Sequence, residues 1–278
     1  MKPLIRPAAV AGTWYPGSAN ALADAVDRHL AGAATQDLDG ELIALIAPHA
    51  GLMYSGPVAA HAYRLLRDRT FDVVVLVGPS HFVGFDGVAA PAADAFETPF
   101  GMMAVDSDVV QTLVHTGAVQ KFAPAHAREH SLEMQLPFLG RVLPGVPIVP
   151  LVMGHQTRQT AAAVAGALAS TLRMRKPLLV ASTDLSHYHD AATASRLDAI
   201  VLDHVARFDA DGLQQALDLQ PEHACGGGPT VAVMRAASQL GARDSVVLDY
   251  ADSGDVSGDK SRVVGYMAAA LGNFSKDA

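Results

Sequence analysis

Val73-Val74-Val75-Leu76-Val77-Gly78-Pro79-Ser80-His81 is an aliphatic, largely β-branched run that stops at Gly-Pro and then presents a histidine. Such a run, bounded by a turn signal, reads as a strand buried on both faces of a sheet. His81 then lies just beyond the strand's carboxyl end, on the rim where open α/β sheets bind ligands. The pattern recurs three times. Leu42-Ile43-Ala44-Leu45-Ile46-Ala47 is stopped by Pro48 and followed by His49. Pro147-Ile148-Val149-Pro150-Leu151-Val152-Met153 ends at Gly154-His155, and Leu178-Leu179-Val180-Ala181-Ser182 leads into Thr183-Asp184-Leu185-Ser186-His187-Tyr188-His189.

Apolar residues at helical spacing separate these runs over 18–31, 57–69 and 157–173, with Tyr54-Ser55-Gly56-Pro57 read as a loop ahead of the second. The alternation predicts an α/β fold, one domain over 1–278 with a mostly parallel central sheet flanked by helices. The strands at 42–47 and 73–77 should run parallel through a right-handed crossover. Antiparallel additions are expected as a hairpin excursion in the short pieces 87–91, 95–98 and 102–105, and as a closing pair at 245–250 and 262–269. Further helices are expected at 107–116, from beyond His189 to about 208, at 211–218 and at 229–240. The stretch His126 to Pro137 is crowded with polar groups where a helix should begin, and reads either as a solvated, capped start or as a shared polar network.

Half of the 278 residues are hydrophobic and only 17% are charged, which supports a sizeable core throughout. The 28 acidic and 20 basic residues give a charge of −8, and the basic ones are scattered. Nucleic acid and anionic membrane are therefore poor candidates as partners. No apolar stretch reaches the roughly 18 residues of a membrane span, and the N-terminus lacks the apolar segment of a secretory signal. Cys225 is the single cysteine. It excludes an intramolecular disulfide and suits a reducing cytoplasm.

Parallel neighbouring strands would bring His49, His81, His155 and the group Asp184, His187 and His189 to one rim. Convergent imidazoles make a divalent metal the leading inference. His49 and His81 are the strongest pair of ligands. The third could be Cys225, a carboxylate such as Asp184, or another histidine. A thiolate would suit zinc, ferrous iron or copper(I), and a carboxylate would complete the facial triad of non-haem iron oxygenases. Asp184, three residues before His187, is placed to orient that imidazole for proton transfer, whereas His155, Tyr188 and His189 are weaker candidates. Trp14, Tyr15, Tyr54 and Phe82 are candidate pocket walls, with Glu129 and His130 as further substrate contacts. No Gly-x-Gly-x-x-Gly, phosphate loop or Gly-x-Ser-x-Gly is present, so nucleotide and serine-hydrolase readings lose support.

These residues together resemble the Memo-like family, whose bacterial and archaeal members are often called AmmeMemoRadiSam system protein B. The resemblance covers almost the whole chain: Arg6 with Ala11-Gly12-Thr13-Trp14-Tyr15-Pro16, Ala47-Pro48-His49-Ala50-Gly51, Gly78-Pro79-Ser80-His81, Glu129 to Pro137, Ser182 to His187, and Cys225-Gly226. It implies a fold similar to that of class III extradiol ring-cleaving dioxygenases, with His49 and His81 as metal ligands, Cys225 at the third position and His187 as acid/base. Where those dioxygenases use glutamate, this chain has a thiol, so ring cleavage does not simply carry across. The function expected is a metal-binding redox protein or oxygenase, with Fe(II) ahead of Cu or Zn, acting on a small aromatic molecule. Its rivals are a module that binds a protein or peptide partner in the same cleft without turnover, and a zinc-dependent hydrolase.

Overall fold

The aliphatic runs ahead of His49, His81, His155 and Asp184 are neighbours in one sheet of the computed structural model, which describes residues 2–34 and 38–275. In chain order the strands are β1 (Ile5–Arg6), β2 (Gly40–Ala47), β3 (Val73–Pro79), β4 (Val88–Ala90), β5 (Ala95–Thr98), β6 (Gly101–Ala104), β7 (Val119–Lys121), β8 (Ile148–Met153), β9 (Pro177–Ser182), β10 (His187–His189), β11 (Asp244–Asp252) and β12 (Val263–Phe274). The large sheet runs β10-β12-β2-β9-β3-β8-β4-β7, with β11 paired to β12. Its centre, β2-β9-β3-β8, is parallel throughout. The expected single α/β domain with a mostly parallel sheet is what the structure shows. β2 and β3 are parallel as expected, but β9 lies between them.

Val73 to Val77 are each no more than 1% exposed, the burial on both faces that the unbroken aliphatic run calls for. Each such side chain contributes about 1.5–3 kcal/mol by leaving water. Among the helices that cover the sheet, Ala19–Gly32 packs on Leu52–Arg64, and Arg158–Leu172 on Gly227–Gln239.

Two local expectations change, and one stretch with two open readings takes the second of them. The helix expected at 57–69 begins at Leu52 and carries Pro57 inside it. The carbonyl that Pro57 cannot serve belongs to Met53, an exposed residue, so water can replace the missing bond. In the excursion, only β5 and β6 form a hairpin, and they join β1 in a separate three-stranded sheet. β4 instead adds antiparallel to β8 in the large sheet. The polar stretch from His126 is not a solvated helix start: Glu129, His130, Ser131, Glu133 and Gln135 are all buried, in a turn and a short 3-10 segment.

Candidate metal centre

His49 and His81 leave the carboxyl ends of β2 and β3, and Cys225 stands two residues before the Gly227–Gln239 helix. One ring nitrogen from each histidine and the Cys225 sulfur all lie within 4.8 Å of one another. The packing depends on two glycines. A Cβ at Gly78 would come within 2.7 Å of Ser131 Oγ, and one at Gly226 within 2.8 Å of Thr183 Cβ. Neither segment could otherwise approach the strand ends.

Hydrogen bonds fix which nitrogen of each ring is free. Ser182 Oγ donates to the Ser131 carbonyl at 2.7 Å, which uses its only hydrogen. It then accepts from Gln135 Nε2 at 2.8 Å and from His49 Nδ1 at 2.9 Å. His49 therefore carries its proton on Nδ1 and offers the Nε2 lone pair. His81 Nδ1 donates to Glu129 Oε1 at 2.8 Å, and the same carboxylate accepts from the His81 and Ser131 backbone N–H groups. Burial pushes the Glu129 carboxyl up, but these hydrogen bonds outweigh it and hold it at about 2. The His81 Nε2 lone pair is left free in the same way. Burial, followed by the neighbouring His81, pushes His49 well below the usual imidazole range, so it is neutral.

Cys225 Sγ lies 3.2 Å from His49 Nε2 and accepts from the Asp184 N–H at 3.3 Å. Burial, and then the Asp184 carboxyl, pushes the thiol far up, so a thiolate here needs a cation beside it. Two Nε2 lone pairs and one sulfur, each held from behind, fit a transition-metal ion of borderline softness. The ligand atoms of His81, Glu129 and His130 also cluster. There, however, the His81–Glu129 contact is already a hydrogen bond.

A cavity of about 460 Å³ opens over these ligands and is also lined by Trp14, His130, Asp184, His187 and Tyr188. His187 Nδ1 donates to the Leu185 carbonyl at 2.8 Å, which leaves Nε2 as the acceptor on a ring that lines the cavity. Asp184 does not supply the orienting bond expected for it. Its Oδ1 accepts from the backbone N–H groups of His49 at 2.7 Å and Ala50 at 3.3 Å, so it braces a ligand loop and makes no hydrogen bond to the His187 ring. Burial pushes the Asp184 carboxyl up, against those two N–H groups.

Of the expected pocket contacts, Trp14 and His130 line the cavity, with their ring centroids 4.3 Å apart. His130 also stacks on His81 at 4.4 Å, and its Nδ1 is buried without a hydrogen-bond partner. Tyr15 instead points inward, its hydroxyl donating to Glu133 Oε1 at 2.7 Å. That buried carboxylate also holds Arg6 and the Ala9 and Val10 N–H groups, and so anchors the segment that presents Trp14. Tyr54 lies in the first turn of the Leu52–Arg64 helix, and Glu129 lies behind His81; neither is part of the cavity lining. His155 lines an adjacent cavity of about 320 Å³ that reaches Cys225 from another direction. Ser182, Ser131 and Gln135 lie within the polar stretch and motifs quoted above, but the sequence assigns them no individual role. Their signal was polar residues embedded in otherwise apolar, buried stretches.

Residues 6–270 match the family described as Memo-like protein. MEMO1 family proteins of Methanopyrus kandleri and Methanothermobacter thermautotrophicus are 38% and 37% identical over 275 and 273 residues, spanning 95% of this chain and 97% and 99% of theirs. Among solved structures, an uncharacterized protein of Escherichia coli K12 is similar with a TM-score of 0.57 and 15% identity, over 84% of this chain and 100% of that one. At that identity the likeness speaks for the fold alone. Among the described residues, no helix is long and apolar enough to cross a membrane.

Proposed function

Since the chain belongs to the Memo-like family, we propose that it is a metal-binding redox protein in which His49, His81 and Cys225 hold one ion of ferrous iron and the cavity takes a small aromatic molecule. One observation carries this reading. Both histidines are tied through Nδ1, to Ser182 and to Glu129, so that both Nε2 lone pairs are free beside one sulfur. Iron bound there would supply a redox-active Lewis acid at the base of the cavity.

The remaining roles belong to the chain. Trp14 and His130, their rings inclined at 49° to each other, form an aromatic corner against which a ring can pack. His187, held by the Leu185 carbonyl, accepts a proton at Nε2 from a hydroxyl of the bound molecule, with the Asp184 carboxyl beside it in the cavity lining. Copper and zinc suit the same nitrogen and sulfur donors, and the ion retained by the protein decides among the three.

The test is oxygen uptake by anaerobically purified protein loaded with ferrous iron and offered a panel of catechols. Iron-dependent uptake that falls by about 10²–10⁴-fold in His187→Asn, with iron content unchanged, supports the reading. Uptake indifferent to iron or to His187 contradicts it.

A further inference from the structure

We propose that Arg262, resting on Tyr188, makes this cavity selective for a phenolic ring that carries a carboxylate. The inference rests on the metal-centre reading above and names its substrate class.

Tyr188 has φ 65°, a left-handed conformation that bulky residues rarely adopt. It lies where the β10–β12 register shifts between His187 and His189, so it is the residue the ladder skips. That conformation is strained for a residue with a side chain. Burial does not offset the strain, because the side chain is 64% exposed. What the bulge achieves is placement: the Tyr188 ring lines the cavity, edge-on to His187 at 5.6 Å.

The Arg262 guanidinium carbon lies 5.4 Å from the centre of the Tyr188 ring. Arg262 precedes Val263, the partner of His189 in the sheet, and Val264 lines the cavity. It is exposed, and among the described residues it has no carboxylate partner and no hydrogen bond. An arginine lying on an aromatic face keeps its in-plane N–H donors free for a planar, two-oxygen anion. A second such pair lies beside His130, which lines the cavity. Arg128 lies 5.0 Å over Phe82, which is 51% exposed and edge-on to His130 at 5.8 Å, and Arg128 likewise lacks an acidic partner among the described residues. The two cations sit on rings at or next to the cavity lining, in a chain of net charge −8. A neutral phenol would leave both guanidinium groups unused, whereas a ring carboxylate would engage one while its hydroxyl faces His187.

The experiment is calorimetric titration of anaerobic, metal-analysed protein with 3,4-dihydroxybenzoate and with catechol, comparing wild type, Arg262→Gln, Arg262→Lys and Arg128→Gln. We expect the benzoate to bind at least about tenfold more tightly than catechol in wild type. Arg262→Gln should abolish that preference with catechol binding unchanged, Arg262→Lys should restore part of it, and Arg128→Gln should weaken it less. Equal binding of the two compounds, no binding of either, or a preference that survives Arg262→Gln would overturn the inference. Metal content of the same samples reads the centre separately. An arginine-dependent preference in protein devoid of metal would support selectivity while overturning the metal reading.

Discussion

Cys225 Sγ lies 3.2 Å from His49 Nε2, although the two residues are 176 positions apart in the chain. A close thiol and imidazole can form a thiolate–imidazolium nucleophile, but here burial works against both charges, raising the thiol and lowering the imidazole. Ser182 also accepts the Nδ1 hydrogen bond, and among the described residues no carboxylate hydrogen-bonds the His49 ring to stabilise an imidazolium. The pair is thus a neutral lone pair beside a protonated sulfur, with His81 completing the group. Such an arrangement suits ligation better than covalent catalysis.

The ring-holding bonds make the first prediction. Ser182→Ala removes the acceptor for His49 Nδ1 and should lower metal affinity about 10–100-fold in a folded protein. Glu129→Gln should do the same, because an amide cannot accept all three hydrogen bonds now received from His81 and Ser131. Competition titration against a chelator measures both; affinities unchanged from wild type would refute the role given to these bonds.

Gly226→Ala should displace the thiol. Its Cβ would press on the Ser182 carbonyl and Thr183, at a cost of about 1–3 kcal/mol in stability. Circular dichroism should show a retained fold while metal content falls sharply. Full metal retention would show that the Cys225 position tolerates this shift.

A pH dependence follows from His126, which is buried, donates to the Ala89 carbonyl at 3.0 Å and is pushed down to about 4, chiefly by burial. Its folded pKa lies below the ordinary value of about 6.5, so between these values the unfolded chain binds a proton that the folded chain does not. This contribution to stability is complete above about pH 6.5 and is lost as pH falls toward 4, to a total of about 3 kcal/mol. Urea denaturation of His126→Gln across that range should show a slope lower by about one proton. An unchanged slope would contradict the account.

Tyr188→Gly should relieve the left-handed strain and, after allowing for the glycine's extra chain entropy, stabilise the protein by about 1 kcal/mol. The same change should weaken binding of an aromatic ligand, since it removes one wall of the cavity. Loss of both stability and binding would mean that the Tyr188 ring serves the fold and its strain is otherwise compensated.

Much of this architecture was legible because parallel, doubly buried strands write themselves as unbroken aliphatic runs, and each of these ended in a turn signal. The same runs bring His49, His81, His155, Asp184, His187 and His189 toward one rim, and of these His49, His81, Asp184 and His187 share the cavity while His155 lines its neighbour. Pro57 misled, because a proline over an exposed carbonyl is tolerated within a helix. Asp184 meets the His49 and Ala50 N–H groups and not His187, because proximity in sequence says nothing about which N–H groups a carboxylate reaches. Tyr15 and Glu129 belong to support rather than to the cavity, a distinction set by side-chain direction. The bulge at Tyr188 leaves no mark in composition, since it arises from register against Val263 and Val264.

Elemental analysis of protein purified without oxygen or chelator, beside Cys225→Ala and His49→Ala, tests the central claim most directly. Wild type should carry about one transition-metal ion per chain and both variants far less, with their folds intact. Wild type without transition metal, or variants that retain the full complement, would contradict a centre built from His49, His81 and Cys225.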